Sequence, residues 1–109
     1  MLSAANGDMD GTDLTRAVFE PLVGTVFTIG LDDGSEYPLT LEACIRAGAP
    51  AGALRTEPFT LLFLGPPGGH LPQHTARLAH PVLHELEIFV VPLGPRPGDG
   101  AQQYEAVFN

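Results

Sequence analysis

The spacing of apolar residues changes from a helical to a strand period along the chain. Apolar residues within 14–18 recur every three or four positions, which predicts a short amphipathic helix with Thr12 as a suitable N-cap. Pro21 restricts the backbone of the residue before it, so we expect this helix to end near Phe19. Residues 1–11 are small, polar and acidic, and they predict a flexible leader.

After the helix, apolar and polar residues alternate with the period of two that is typical of β-strands. Residues 25–42 alternate on both sides of Asp33-Gly34, a dipeptide that favours a tight reversal, and therefore predict a β-hairpin. Pro38 cannot donate a hydrogen bond to a neighbouring strand, so its strand is expected at a sheet edge. Residues 43–56 predict a crossing loop.

The second half of the chain predicts further strands separated by Pro- and Gly-rich turns. Residues 59–65 are apolar on both faces, which indicates a central strand covered on each side, with 73–80 as its partner. Residues 86–94 alternate in the same way, and the terminal segment 104–109 completes the series. A terminal strand paired with its neighbours keeps a chain end ordered.

These elements predict one mainly β domain over residues 12–109, after the leader. Five to six short strands with one short N-terminal helix indicate a small antiparallel barrel or a sandwich, and the helix could plug one open end. We expect the large aromatic residues of the strands to be structural, namely Phe27, Phe59, Phe63, Phe89 and Phe108.

Charge and cysteine content narrow the classes of partner. Thirteen acidic residues against five arginines and no lysine give a net charge of −8, which disfavours binding to nucleic acid and to anionic membranes. The sequence has neither a signal-peptide pattern nor an apolar run of membrane-spanning length, so the predicted location is the cytoplasm. Cys44 is the only cysteine and is expected to be a small buried apolar residue.

Four histidines raise the question of a metal site. They lie close together in sequence, at His70, His74, His80 and His84. The two prolines among them argue against a helix, and strand residues four apart lie roughly 13 Å from each other, too far to share one ion. His74 and His84 could still meet across a hairpin. We expect solvated or locally hydrogen-bonded histidines and no bound metal.

Other catalytic patterns are weak. Asp32, Asp33 and Glu36 lack the spacing of an EF-hand loop, and the Gly-rich segments lack the Lys-Ser/Thr or the helix of a phosphate-binding loop. No serine lies in a nucleophile elbow, and nothing near Cys44 in sequence activates its thiol. The chain is therefore predicted not to be an enzyme and to need no cofactor.

Polar and aromatic residues at the predicted loop ends are the candidates for binding. Tyr37, His70, Gln73 and Tyr104 would line a barrel mouth that takes a small molecule or a glycan, and His74 is a further candidate. Gln73 has a structural alternative, since a glutamine at a strand start can pair with backbone groups left open at the mouth.

The same segments resemble a known family as a set. "FEPLVGTVF", "EPFTLLFLGP", "LPQHTARLAHP", "ELEIFVVPLG" and "YEAVFN" follow the order of motifs in a family of small uncharacterised bacterial domains, over residues 19–109. The resemblance implies a structural or adaptor role in a phage-tail-like assembly. Residues 74–77 lack the aromatic residue expected after "LPQ", and His84 stands where a small residue is usual, so a partner docking there would be recognised differently.

We therefore expect a non-catalytic protein-interaction or structural module. Its partner would be another protein or a second copy in a homo-oligomer, docked by β-augmentation on the strand that holds Pro38 or on the terminal strand. The alternative is the small-molecule or glycan binder at the barrel mouth, and a third hypothesis is a metal-dependent enzyme that uses the histidines.

Overall fold

The computed structural model describes residues 14–46 and 58–108. Helix α1 is followed by a single 3-10 turn and six strands. Their bounds are α1 Arg16–Phe19, the 3-10 turn Glu20–Leu22, β1 Val26–Gly30, β2 Glu36–Arg46, β3 Phe59–Gly65, β4 His74–His80, β5 His84–Pro95 and β6 Gln102–Phe108. The leader, Thr12 and residues 47–56 of the predicted loop lie outside the described residues.

The six strands form a closed antiparallel barrel in the order β1-β2-β3-β6-β5-β4. Two meanders, β1–β3 and β4–β6, are joined by the segment 66–73, and β4 pairs with β1 through Thr28↔Ala79 and Ile29↔Leu78. The prediction of a mainly β fold with one short helix is confirmed, and the architecture is the barrel rather than the sandwich.

Closure of the barrel removes the sheet edges that the sequence predicted. β2 lies between β1 and β3, and β6 lies between β3 and β5. Pro38 is tolerated away from an edge because β3 pairs with β2 only from Thr40 onward. The predicted pairing of β4 with β3 is also wrong, since β2 and β6 occupy both sides of β3 and leave β4 between β1 and β5.

β2 continues four residues into the segment predicted as a loop. A β-bulge makes this possible, because the pairing shifts from Leu41↔Phe63 to Ala43↔Leu62 and leaves Glu42 as the extra residue. Beyond the bulge, Ala43 and Ile45 take the outward positions of the strand. The residue between them, Cys44, is half-buried against the core.

The barrel interior is filled by alternate residues of every strand. The side chains of β3 show the pattern, with Phe59, Leu61 and Phe63 fully buried and the intervening leucines half-buried. Other interior residues include Ile29, Leu39, Leu41, Leu78, Leu86, Ile88, Val90 and Ala106. The alternation that predicts β1, β2 and β6 thus places its larger apolar residues in the interior. In β3, which the sequence predicts to be covered on both faces, one face is in the core and the other is half-buried on the outside.

Phenylalanine rings close one end of the barrel, which we call the phenylalanine end. Phe19 from α1 is fully buried, and its ring centroid lies 6.4 Å from that of Phe27 and 5.9 Å from those of Phe59 and Phe108. The rings of Phe59 and Phe108 stack at 4.6 Å. α1 ends at Phe19 as the sequence predicted, although it begins later, at Arg16 with Thr15 as N-cap.

His80 ties three segments together at the phenylalanine end. Its Nδ1 accepts a hydrogen bond from the backbone N–H of Val82 at 3.0 Å, which places the proton of the neutral ring on Nε2. Nε2 then donates to Thr25 Oγ1 at 2.9 Å, and that hydroxyl donates to the carbonyl of Leu22 at 2.6 Å. His80 is buried, so desolvation lowers the pKa of its imidazole.

Candidate functional site

Two of the predicted binding residues close the opposite end of the barrel, which we call the tyrosine end. Tyr37 and Tyr104 are buried, their rings meet edge to face at 86°, and their hydroxyl oxygens lie 2.8 Å apart. The backbone N–H of Leu71 donates to Tyr104 Oη at 3.1 Å. The two hydroxyls therefore bond to each other and to the segment that links the two meanders.

Two glycines allow the Tyr37 ring to pack against the backbone. A Cβ placed on Gly69 would lie 2.6 Å from Tyr37 Oη, and one placed on Gly65 would lie 2.8 Å from the same oxygen. Burial is the main cause that raises the pKa of the Tyr37 phenol, and its hydrogen bond to Tyr104 adds to the effect. Tyrosine rings and glycine backbone thus fill the predicted mouth.

The other three candidate binding residues lie around this end rather than in it. His70 and Gln73 are exposed on the segment between β3 and β4. His74 is half-buried, and its Nδ1 donates to the carbonyl of Pro72 at 2.6 Å. The structure therefore brings Tyr37 and Tyr104 together and leaves the other candidates at the surface around them.

Two of the four histidines, His74 and His80, and Asp33 of the acidic turn have hydrogen-bond partners. In the β4–β5 hairpin His80 faces His84, and His74 faces Val90, so the meeting of His74 and His84 that the sequence left open does not occur. Asp33 accepts hydrogen bonds from the backbone N–H and the hydroxyl of Ser35, and these bonds lower the pKa of its carboxyl. Within 14–46 and 58–108, no group of three or more His, Cys, Asp or Glu side chains is placed to hold a metal ion.

The thiol of Cys44 is half-buried beside α1. Burial raises the pKa of this thiol, with Glu20 as a further cause, so the reactive thiolate is disfavoured. Its Sγ lies 3.9 Å from the carbonyl oxygen of Arg16, where it acts as a weak donor.

The helices in the described part of the chain are all too short to cross a membrane.

The largest unassigned feature is an apolar surface on the outside of the barrel, which we call the outer apolar face. It consists of outward residues of β3, β5 and β6 with the end of β2. Its members are Ile45, Leu62, Leu64, Phe89, Val91, Leu93 and Val107, with Thr60 and Glu105 among them. Phe89 is 50%, Ile45 51%, Leu93 49% and Val107 53% exposed.

The strand register makes this face continuous. One row runs from Ile45 on β2 through Thr60 on β3 to Val107 on β6. The next row runs from Ala43 through Leu62 and Glu105 to Val91 on β5. Directly opposed side chains have Cβ atoms about 4.5–5.5 Å apart, so these residues form one surface.

One edge of the outer apolar face coincides with the point where β5 and β6 separate. Their pairing ends at Val91↔Glu105. Beyond that pair, residues 84–90 of β5 pair with β4, and residues 106–108 of β6 pair with β3. Phe89 and Val107 each lie two residues beyond that last pair, on opposite sides of the separation. The most exposed apolar side chains of β5 and β6 therefore lie on either side of the point where the two strands separate.

The β4 side of the barrel has a charged surface instead. Arg77 on β4 forms ion pairs with Glu85 at 3.0 Å and with Glu87 at 3.2 Å, both on β5. Its neighbours in the outward rows are small residues, Ala79 and Thr28. An outward strand surface in this protein can thus be polar, and the outer apolar face is a local property.

Phe89 and Ile45 are the members of this face that sequence reasoning placed elsewhere. Phe89 was expected among the structural aromatics, yet Ile88 and Val90 take the interior positions of β5 and direct Phe89 outward. Ile45 was expected in a loop. The available signal was the apolar character of both faces in 59–65 and 86–94, and for 59–65 this pattern predicts cover on both sides.

Comparison with known proteins identifies the family of the chain. The profile of the family described as "Domain of unknown function (DUF6916)" matches residues 14–108. No curated protein and no solved structure matches the chain.

Proposed function

The chain belongs to this family of domains of unknown function, and we propose that it acts as a non-catalytic protein-interaction module. The observation that carries the proposal is the outer apolar face, with four large apolar side chains about half exposed on β2, β5 and β6. Contiguous exposed apolar patches of this kind mark protein interaction sites.

The barrel interior supports the same proposal indirectly. Both ends of the barrel are closed by aromatic rings, so the apolar core serves stability. A small-molecule or glycan site at the mouth has less support, because the Tyr37 and Tyr104 hydroxyls bond to each other and their rings occupy the mouth. The outer surface is then the place where recognition of another molecule is best supported.

The motif resemblance favours an adaptor or component of a phage-tail-like assembly as the specific role. A closed barrel with an apolar outer face could be held in such an assembly through protein contacts made by that face. This role rests on the resemblance, and the outer apolar face supports the more general one.

The proposal is tested by affinity capture from the native host with the tag at the N-terminus, because β6 is built into the barrel. The test variant is Phe89→Ser/Val107→Ser, which removes two exposed side chains from the face. Val26→Ser/Val82→Ser is the matched control, since these residues are 46% and 62% exposed but lie on β1 and in the β4–β5 turn.

We expect the unmodified chain and the control to capture the same stoichiometric protein partner, and the test variant to lose it while keeping its circular dichroism spectrum. Recovery of the same partner with the test variant would refute a role for the outer apolar face. Binding that depends instead on Tyr37 or Gln73 would favour the mouth.

A further inference from the structure

One charged side chain lies in the middle of the outer apolar face. Glu105 on β6 is directly opposed by Leu62 on β3 and by Val91 on β5, and Val107 follows it on the same face. Its side chain is only partly exposed. A carboxylate is thus placed where any partner covering the face would remove it from water.

The described arginines of this chain are mostly engaged elsewhere. Arg16 pairs with Glu20, and Arg77 pairs with Glu85 and Glu87. Arg96 pairs with Asp99 and approaches Glu42. Arg46 is exposed at the end of β2 and lies on the strand side of Cys44, opposite to that of Ile45, so it is not on the face. Within 14–46 and 58–108 no cation is paired with Glu105.

From this arrangement we infer the chemistry of the partner, an inference that rests on the proposed function. The outer apolar face binds a different protein whose surface is apolar and carries an Arg or Lys that pairs with Glu105. Covering an ionised carboxylate with apolar surface is strongly unfavourable unless a cation and its hydrogen bonds replace the lost water. The cation also gives the contact its register, because apolar contacts alone specify position poorly.

A second copy of the chain does not satisfy this requirement. A two-fold contact between two outer apolar faces would bring their central Glu105 side chains together, and like charges at an interface oppose association. Each copy also has a net charge of −8, which adds a general repulsion. The charge pattern therefore selects a non-self partner.

The inference can be tested with the chain itself as the probe. The Glu105→Arg variant carries the chemistry proposed for the partner, an apolar face with a cation at its centre. Sedimentation velocity is measured on the unmodified chain, on the variant and on their equimolar mixture at an ionic strength of about 0.15 M, where the Debye length of about 8 Å screens the general repulsion between the acidic chains. Glu105→Lys serves as a second probe, and circular dichroism verifies that each chain is folded.

We expect each chain alone to sediment as an 11.5 kDa monomer and the mixture to form a species of twice that mass. The mixed dimer should be lost when the unmodified chain is replaced by Phe89→Ser/Val107→Ser. Glu36→Arg is the matched control, because it makes the same charge change at an exposed residue at the start of β2, away from the face. Its mixture with the unmodified chain should remain monomeric.

Three results would overturn the inference. The unmodified chain could dimerise alone through the face, the mixture could remain monomeric, or the Glu36→Arg control could associate equally well. If the mixture is monomeric but affinity capture still depends on Phe89 and Val107, the proposed interaction function is retained and the inferred cation of the partner is refuted. If neither experiment depends on these two residues, the proposed function falls as well.

Discussion

The two ends of the barrel differ in the groups that close them. At the phenylalanine end, Phe19 from α1 packs against three other rings and is fully buried. At the tyrosine end, two rings from β2 and β6 are joined by a hydroxyl–hydroxyl bond, and a backbone N–H completes the contact. β6 serves both ends, through Phe108 and Tyr104.

This difference shows which forces hold each end. The phenylalanine end depends on buried apolar area and shape, so the free energy of unfolding decreases mainly when side-chain volume is removed there. The tyrosine end depends on hydrogen bonds between buried groups and on close packing against glycine. The free energy of unfolding therefore decreases when a buried donor loses its acceptor or when an atom is added. Neither end presents an open mouth, and this is one reason why the proposed interaction site lies on the outer surface.

The largest expected effect comes from removing the ring of Phe19. Phe19→Ala should lower the free energy of unfolding by about 3–5 kcal/mol, because it leaves a cavity between α1 and the barrel. Urea unfolding followed by circular dichroism measures the change. Val23→Ala is the control, since Val23 is 44% exposed and should cost little. A decrease in the free energy of unfolding no larger than that of the control would refute the role of Phe19 in closing this end of the barrel.

The second prediction adds one carbon atom at the tyrosine end. Gly69→Ala should lower the free energy of unfolding by about 1–3 kcal/mol, because its Cβ would overlap the buried Tyr37 ring. Gly30→Ala is the matched control, because a Cβ on Gly30 meets no atom within 4 Å and the change should be near neutral. Equal effects of the two variants in denaturant unfolding would contradict the close packing.

A third, smaller effect separates the two tyrosines. Tyr104→Phe leaves the buried N–H of Leu71 without its acceptor and should cost about 1–2 kcal/mol. Tyr37→Phe should cost less, because Tyr104 Oη still accepts from Leu71. Thermal and urea unfolding of both variants measure the difference, and the reverse order would show that the hydroxyl network is assigned wrongly.

The smallest predicted effect is a pH dependence at the phenylalanine end. Burial lowers the pKa of His80 in the folded state below its ordinary value of 6.5, so the unfolded chain binds the proton more readily. Stability from this residue is complete above pH 6.5 and is lost as the pH falls from there through the lowered pKa. The loss cannot exceed about 1.4 kcal/mol per pH unit.

Urea unfolding between pH 7.5 and 5 of the unmodified chain and of His80→Gln measures this slope. Glutamine keeps an amide that can bond Thr25 but does not titrate, so its slope should be smaller by the contribution of His80. Identical slopes would mean that the protonated ring is accommodated without loss of the Val82 bond.

Much of the barrel could be predicted from local pattern because strand geometry is itself local. Alternation with a period of two identified the strands β1 and β6 and their larger apolar side. It could not distinguish the inward side of β3, which is apolar on both faces. The end of β2 was not predicted, because the bulge at Glu42 shifts the alternation and interrupts the period-two pattern. The burial of His80 was not predicted either, because it depends on hydrogen bonds to Thr25 and Val82, which lie on different segments.

The candidate site was less predictable than the fold. Tyr37 and Tyr104 were selected together for a mouth, and they do meet, but their role in closing it depends on Gly65 and Gly69 beneath the ring. The outer apolar face could not be recognised, because an apolar residue on the second face of a strand has the same pattern whether another layer covers it or not.

The sequence by itself determined the strand segments, their inward faces and the end of α1, since these follow from backbone geometry over a few residues. Only the tertiary structure decided which strands are neighbours, and with it the closure of the barrel, the contact between tyrosines 67 positions apart and the place of Glu105 among apolar residues. Strand order is set by the packing of the whole core, where each pairing excludes others, and no local period encodes that competition.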